Sequence, residues 1–591
     1  WSLGAVLYEL LTLQPAYEAP NLYALMFAVA SGPPTDPRER APERQIPEEL
    51  SELCLRAMAD EREDRFATAT ELGSAVEAFL EGSKRREAAL QQARQLVAQA
   101  EALRPEIAAL QARAAALDAE SEVLLADVQG WEPEERKHPG WAKADEAKAL
   151  RREAERMDLR YEQGLHSALR LASSLPEAHA ALAERHRAGH EQAEQARDSE
   201  ATVREDHLLR AHAEALPEDH GLRRRCAVYL EGDGALTLLT DPPGAEVLLH
   251  RYELHKRRLV PVLVRSLGRT PLARVSLPMG SYLCVLRSEG RPDVHYPVHI
   301  ERGAHWDGVP PEASEPQPIW LPGPDDLGPD DCYVPAGWFT AGGDAVALNA
   351  LSRRRVWVDG FCLSRFPVTN RDYIAFLDDL VAQGREDEAL RHAPRERAGT
   401  VAAQGALIYG YEGGRFSLRP DADGDVWLPD WPVCMVDWHG AGALAAWQAA
   451  RTCQAWRLPH ELEWEKGARG VDGRFFPWGD GFDPSWCHMK DSHRGRPLPA
   501  AVGSYPVDES VYGVRDLAGN MRAWTATAHQ ANGDVGDGEH LVAGQGAGEA
   551  GSSRVSRGGG WFNVAGNTRV AYRYGFDPGY RYFLLGFRLS R

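Results

Sequence analysis

Apolar positions along the chain fall into several distinct spacings. Leu3, Val6, Leu7, Leu10 and Leu11 recur at helical intervals, which predicts a helix buried along that face. After a Pro-rich loop at 33–47, a second helix is predicted with Leu50, Leu53, Cys54 and Met58 on one side. A third is predicted near 69–80, with Gly82 as its C-cap. Residues 83–230 are rich in Ala, Glu, Arg and Leu and read as helical throughout. Leu96, Leu103, Leu110, Leu117 and Leu124 repeat every seventh position, and Ala100, Ile107, Ala114 and Val128 follow at four-residue offsets. That is an a/d seam, which predicts a coiled coil or a long helical hairpin, packed within the chain or by self-association. Pro105 should kink it. Over 235–309 the pattern turns to alternation: Leu236-Thr237-Leu238-Leu239-Thr240, a turn at Asp241-Pro242-Pro243-Gly244, Glu246-Val247-Leu248-Leu249, then Gly280-Ser281-Tyr282-Leu283-Cys284-Val285-Leu286. A small all-β module is expected there, followed by a Pro-rich linker over 310–329. Residues 330–591 carry short apolar segments among many Trp, Gly and Arg, with helices predicted at 441–451 and 458–469. An irregular α+β domain held by aromatic packing and buried polar contacts is expected.

Composition narrows the function classes. At roughly 100–200 residues per domain, 591 residues imply about three to five domains. Trp 17, Tyr 18 and Phe 15 supply ample core, so a wholly disordered chain is excluded. No run approaches the roughly 18 apolar residues of a membrane span, so none is expected. A net charge of −20 repels a phosphate backbone, and nucleic-acid binding is not expected. The eight Cys form no C-x-x-C pair, which disfavours a disulfide scaffold or zinc ribbon and fits a reducing, cytoplasmic setting. Trp1 opens inside an apolar run with no Met, basic region or cleavage site, so the chain is expected to be a fragment of a longer protein.

Several ordered motifs resemble known families. Trp1-Ser2-Leu3-Gly4, Leu10-Leu11-Thr12 with Pro15, Ile46-Pro47-Glu48-Glu49-Leu50, Asp64-Arg65-Phe66 and Glu71-Leu72 resemble the C-terminal part of a bacterial eukaryotic-type serine/threonine protein kinase. The resemblance covers residues 1–82 and implies a structural Arg65, whose family partner is a Glu that would lie upstream of Trp1. It also implies a signalling parent that uses ATP and magnesium. The Gly-rich loop, the V-A-I-K Lys, the H-R-D loop and the D-F-G motif do not occur in this chain, so it is not expected to transfer phosphate by itself. Leu175-Pro176 and Leu216-Pro217 close two similar stretches 41 residues apart and resemble tetratricopeptide units. Asp241-Pro242-Pro243-Gly244-Ala245-Glu246-Val247 and Gly268-Arg269-Thr270-Pro271-Leu272 resemble a PEGA-type β module, a surface-binding or spacer element.

The last 260 or so residues resemble a formylglycine-generating-enzyme (sulfatase-modifying-factor) domain. The resemblance rests on Pro367-Val368-Thr369-Asn370, Trp456-Arg457-Leu458-Pro459-His460-Glu461-Leu462-Glu463-Trp464-Glu465 and Pro477-Trp478-Gly479-Asp480, then Gly513-Val514-Arg515-Asp516-Leu517-Ala518-Gly519-Asn520, Arg557-Gly558-Gly559-Gly560-Trp561 and Gly586-Phe587-Arg588. It implies a C-type-lectin-like α+β fold in which Trp464, Asn520 and Trp561 are structural. The family enzymes bind copper through two Cys after the Trp561 position, since soft thiolates suit Cu(I). Asn563 and Thr568 stand at those positions, and no Cys follows Cys487. The family phrase G-N-V-W-E-W becomes Gly519-Asn520-Met521-Arg522-Ala523-Trp524, so Ala523 removes an oxygen donor from a calcium site that needs about six to eight. Sulfoxide synthases of the ergothioneine type share this fold and hold iron with H-x-x-x-H-x-E. The nearest string here is His186-Arg187-Ala188-Gly189-His190-Glu191-Gln192, expected as two solvated His on a charged helix.

No cofactor or metal is therefore expected in this chain. Asn563, Arg569, Tyr572, Arg573 and Tyr574 are the candidate ligand-binding residues, because flat aromatics and Arg forks suit peptides and acidic groups. The alternative for Arg569 and Arg573 is that they satisfy buried carbonyls. Glu461, Glu463 and Glu465 are expected to be structural rather than acid/base groups. The leading expectation is a kinase fragment whose last domain is a non-catalytic module for proteins or peptides. The rival is a metal-dependent oxidoreductase of the formylglycine-generating or sulfoxide-synthase type.

Overall fold

The computed structural model describes every residue other than 127, 129–131, 197, 397–404, 422–423, 543 and 550. It divides into two units, Trp1–Leu230 and Glu231–Arg591. The first is helical and the second is built on β-sheets with inserted helices. No helix among the described residues is long and apolar enough to cross a membrane.

In the first unit, helix Ser2–Thr12 packs on Glu48–Ala57 through Gly4, Tyr8 and Thr12. A Cβ on Gly4 would lie 2.6 Å from Met58 Cγ and 2.9 Å from Ala57 Cβ, so the absent side chain sets how closely the helices approach. The face predicted to be buried is so only in part: Leu7 and Leu11 are half-buried against Tyr8, Cys54 and Met58, whereas Leu3, Val6 and Leu10 are exposed, as are Tyr23, Met26 and Phe27. Arg65 donates to the carbonyls of Ala59 (2.6 Å) and Asp60 (2.8 Å), tying down the turn after Glu48–Ala57.

Thr68 caps helix Ala69–Glu101, which runs through Gly82 without a break. The expected C-cap is absent because Gly82 lies among good helix formers, and an interior Gly costs only about 1 kcal/mol. The helix ends at Ala102, and Pro105 opens the next one, Arg104–Leu125, rather than kinking a continuous rod. A first-turn N–H has no helical partner, so Pro fits there without loss. The seam is real but shifted toward its smaller members. Ala93, Val97, Ala100, Ile107, Ala114 and Leu117 are buried, Leu96, Leu103 and Leu110 are half-buried, and Leu124 is exposed. What covers it is helix Glu134–Leu171 of the same chain, through Ala147, Ala154, Met157, Tyr161 and Leu165.

His186 and His190 are buried, not solvated. Helix Pro176–Ala196 lies against Ser199–Glu214, and each imidazole finds a polar partner: His186 Nδ1 with Glu205 (2.8 Å) and His190 Nδ1 with the Tyr229 hydroxyl (2.9 Å). His179 and His212 meet at 3.0 Å between their Nδ1 atoms, and His179 Nε2 faces the Ser173 carbonyl at 2.9 Å. A carbonyl only accepts, so His179 donates through Nε2 and His212 donates to His179 Nδ1. His166 and His186 flank the His212 ring at centroid distances of 6.1 and 5.6 Å. Burial, reinforced by His186, His179 and His166, pushes His212 down to about 4. An unfolded imidazole titrates near 6.5, so the fold gains stability above that pH and loses it as the pH falls toward 4. The helical unit should therefore melt at lower temperature at pH 4.5 than at pH 7.5. His212→Gln should flatten that pH dependence, as followed by circular dichroism; an equally steep dependence in the variant would place the acid sensitivity elsewhere.

The second unit begins with two small sheets. Arg258–Arg269, Glu246–His255, Gly280–Arg287 and Val294–Ile300 form one, antiparallel throughout and in that order. Leu272–Leu277, Gly234–Leu238 and His305–Trp306 form the other. Residues expected as a linker are partly structured: Ile319–Trp320 pairs with Thr240–Asp241, and Leu321 is buried. One hydrophobic core continues from Leu236, Val247 and Val298 through Leu321 to Val356, Leu363 and Trp464. The tip of the Glu246–His255/Arg258–Arg269 hairpin also docks on the later residues. Leu259 N donates to Trp478 O at 2.8 Å, and Arg474 lies 4.4 Å over the Tyr252 ring.

The remaining strands form short pairs and one four-stranded sheet, ordered Arg573–Phe576, Arg554–Arg557, Arg522–Ala528, Leu585–Phe587. Helices Trp438–Thr452 and Glu461–Arg469 lie where expected; Asn370–Ala382 and Glu386–His392 are two more that the pattern did not reveal. Thr369 and Asp372 form a capping box that starts Asn370–Ala382. Glu461–Arg469 is buried along its whole length. Lys466 Nζ donates to the carbonyls of Pro335 (2.7 Å), Gly337 (3.0 Å) and Val358 (3.1 Å), which joins this helix to the strands around it.

Candidate functional site

The segment after Arg557 is shaped by close backbone approaches. A Cβ on Gly559 would sit 2.4 Å from Ala518 O, so only Gly fits. Asn520 adopts φ 64° and exchanges two hydrogen bonds with the Ala500 backbone, at 3.1 and 3.0 Å, while its carbonyl receives Trp561 N. Its amide oxygen is thus spent on the fold. Trp561 is half-buried, donates Nε1 to Phe583 O and packs against Phe562 and Phe583. Trp464 is fully buried beneath Arg557.

The two positions where the family places thiolates are closed into their own loop. Asn563 Oδ1 accepts from Gly560 N, and Asn563 N donates to Gly560 O, both at 2.8 Å. Thr568 is buried at the end of the single turn Ala565–Thr568, its hydroxyl donating to Ala565 O at 2.7 Å. Cys487 packs in the cluster that Ala565 covers, and burial pushes its thiol well above the ordinary range. These residues do not fit a Cu(I) centre. Among the described residues, no group of three or more His, Cys, Asp or Glu could hold a metal ion.

The five candidate residues do not converge on one surface. Arg573 is buried and grips Glu461 through Nε (2.6 Å) and Nη2 (2.7 Å). Arg569 pairs with buried Asp344 and covers Phe475 at 4.3 Å. Tyr572 is buried, Asn563 is half-buried in its turn, and Tyr574 is the one of the five that stands substantially exposed, at 39%. Period-two alternation explains the split: Tyr572, Tyr574 and Phe576 share one face of their strand, and Arg573 points to the other.

Glu461, Glu463 and Glu465 are consumed by ion pairs. Glu465 binds Arg469 (2.7 Å), Gly342 N (2.8 Å) and Arg557. Burial pushes its carboxyl up, and the Arg557 and Arg469 guanidinium groups outweigh that and hold it below its usual range. Glu463 takes both Nη groups of Arg457 at 2.6 Å and closes a capping box with His460.

The aromatic face of the four-stranded sheet holds a residue that sequence reasoning passed over. Arg522 lies under Tyr572, Tyr574 and Phe576, with its guanidinium 4.6, 5.6 and 5.7 Å from the three ring centroids. Tyr580 stacks on Phe576 at 5.1 Å, and Tyr582 lies beside it. The alternation Tyr572-Arg573-Tyr574-Gly575-Phe576 was the available signal for this face; the burial of Arg522 beneath it was not visible locally. A separate cleft of about 500 Å³ opens between Trp438, Trp456, His460 and Ala526, and none of the five candidates lines it.

Residues 321–591 match the model of the sulfatase-modifying factor enzyme 1-like domain. The chain is 31% identical over 281 residues to the hercynine oxygenase of Mycolicibacterium smegmatis, covering 44% of this chain and 60% of that protein. It is 29% identical over 287 residues to the inactive C-alpha-formylglycine-generating enzyme 2 of Mus musculus, covering 44% and 84%. Against the serine/threonine-protein kinase Pkn1 of Chlamydia trachomatis it is 27% identical over 261 residues, covering 44% and 38%. The chain thus spans well under the full length of the hercynine oxygenase and the kinase. Its C-terminal part, residues 321–591, is a formylglycine-generating-enzyme-like domain of the sulfatase-modifying-factor type.

Proposed function

We propose that residues 321–591 are a ligand- or protein-binding module that has lost formylglycine-generating chemistry, carried by a cytoplasmic signalling chain related to bacterial serine/threonine kinases. The observation that carries the first part is the closed loop after Trp561. Asn563 and Thr568 occupy the thiolate positions, and both side chains bond within that loop. Likeness to a relative described as inactive supports this reading. The kinase part rests on the motifs of residues 1–82 and on the likeness to Pkn1. Phosphoryl transfer, with its ATP and magnesium, belongs to the parent and not to the residues of this chain.

Copper affinity tests the reading directly. The wild-type chain should bind Cu(I) no better than an ordinary protein surface. The double variant Asn563→Cys with Thr568→Cys supplies two soft ligands at the family positions and should gain measurable affinity in a competition titration. Tight, stoichiometric Cu(I) binding by the wild type would overturn the proposal in favour of an oxidoreductase.

A further inference from the structure

The buried arginines of the second unit follow a rule with one exception. Arg469, Arg474, Arg557 and Arg573 each pair with a buried carboxylate. Arg354, Arg554 and Arg588 donate through their Nη groups to backbone carbonyls. Arg522 is 4% exposed, yet among the described residues nothing accepts from its Nε or Nη2. These two atoms form the side edge of the guanidinium, the same edge with which Arg573 holds Glu461. Its surroundings are the rings of Tyr572, Tyr574 and Phe576, with no carboxylate among the charges that act on it. Burial lowers its proton affinity, and nearby Tyr572 offsets that in part, but a guanidinium stays charged at neutral pH. A buried charge without a counter-ion is costly to the fold. The rim of this aromatic face is partly exposed, with Tyr574 and Phe562 exposed and Tyr580, Tyr582 and Phe583 half-buried, while Nε and Nη2 of Arg522 are buried beneath the rings, which must part to admit a ligand.

We propose that Arg522 and the rings of Tyr572, Tyr574 and Phe576 form a binding site for an aryl oxyanion, a carboxylate or phosphate carried on a flat ring. The anion receives both hydrogens of the Nε/Nη2 edge, which match a carboxylate or phosphate in a bidentate fork. The ring that carries it lies against the aromatic face, with Tyr574 at the entrance. This inference rests on the reading of the domain as a binding module and names its ligand class.

Calorimetry on the full chain tests it with three probes: 4-hydroxyphenylacetate, phenyl phosphate and the neutral 4-hydroxyphenylacetamide. At least one anion should bind about tenfold or more tightly than the amide, and the stronger of the two identifies the source as carboxylate or phosphate. Arg522→Met should abolish the preference, and Arg522→Lys should weaken it because an ammonium lacks the fork. Melting without ligand provides the second readout. Arg522→Met should leave the midpoint unchanged or raise it, whereas Arg469→Met, which breaks an existing pair, should lower it. Equal binding of anions and amide, or a drop in Arg522→Met as large as in Arg469→Met, would overturn the site and make Arg522 a structural residue. Either result would leave the copper titration to decide separately whether the domain is a binding module.

Discussion

Glu465→Ala should unfold the second unit or come close to it. The substitution strips the carboxylate shared by Arg469 and Arg557, both fully buried, and leaves Arg469 with backbone carbonyls alone and Arg557 with Glu461 at 3.6 Å. Breaking a buried pair costs about 3–5 kcal/mol, and here one carboxylate serves two partners. Domains are stable by only about 5–15 kcal/mol, so the loss is a large share of the whole. Glu465→Gln should fall between, since its amide oxygen can still accept from Gly342 N. Tryptophan fluorescence during urea unfolding reads both variants. An unchanged midpoint for Glu465→Ala would show that the arginines find other acceptors, and the account of this core would fail.

Leu117→Asp should be nearly as damaging to the first unit. Leu117 is fully buried where Arg104–Leu125 meets Glu134–Leu171. An unpaired carboxylate there costs several kcal/mol, on the order of a broken buried ion pair. Leu124→Asp supplies the control, because Leu124 belongs to the same heptad series but is exposed, and an exposed substitution shifts stability by about 0.5 kcal/mol at most. Helical ellipticity on heating separates the two. Equal effects would mean that the packed face has been misassigned; no effect from either would mean that the hairpin is not closed.

The contrast between those leucines shows what the sequence made legible. Heptad spacing located the seam and the helices around it, but spacing alone does not choose between the leucine positions and the smaller residues four places on. The partner helix chose, and it buried Ala100, Ile107 and Ala114 together with Leu117, the two alanines letting the helices approach closely. Local pattern was right only in part in the first helix, where Leu7 and Leu11 pack while Leu3, Val6 and Leu10 are exposed and the close contact falls at Gly4 and Tyr8. His186 and His190 looked solvated because their neighbours in sequence are charged; their partners, Glu205 and Tyr229, come from other helices. At the candidate site, Asn563 and Thr568 at the positions the resemblance assigns to thiolates were readable residue by residue. The burial of Arg573 was one of two readings, and its guanidinium does donate to the carbonyls of Asn349 and Gln530, but its ion-pair partner Glu461, 112 positions away, was not legible. Arg522 stands out only in the folded chain, because an orphaned charge is defined by what surrounds it in space.

The Glu461–Arg469 helix has a bearing on descent. The phrase by which this domain is recognised is largely the set of side chains that neutralise one another inside it: Glu461 with Arg573, Glu465 with Arg469 and Arg557, Glu463 with Arg457. Glu461 and Glu465 are each tied to a remote arginine, Arg573 and Arg557, so drift at one position is penalised unless the other changes with it. The two positions that the family resemblance assigns to thiolates, Asn563 and Thr568, take no part in these ion pairs. A lineage can shed the reaction in two substitutions and keep the signature intact, which leaves the signature a record of ancestry and folding rather than of activity.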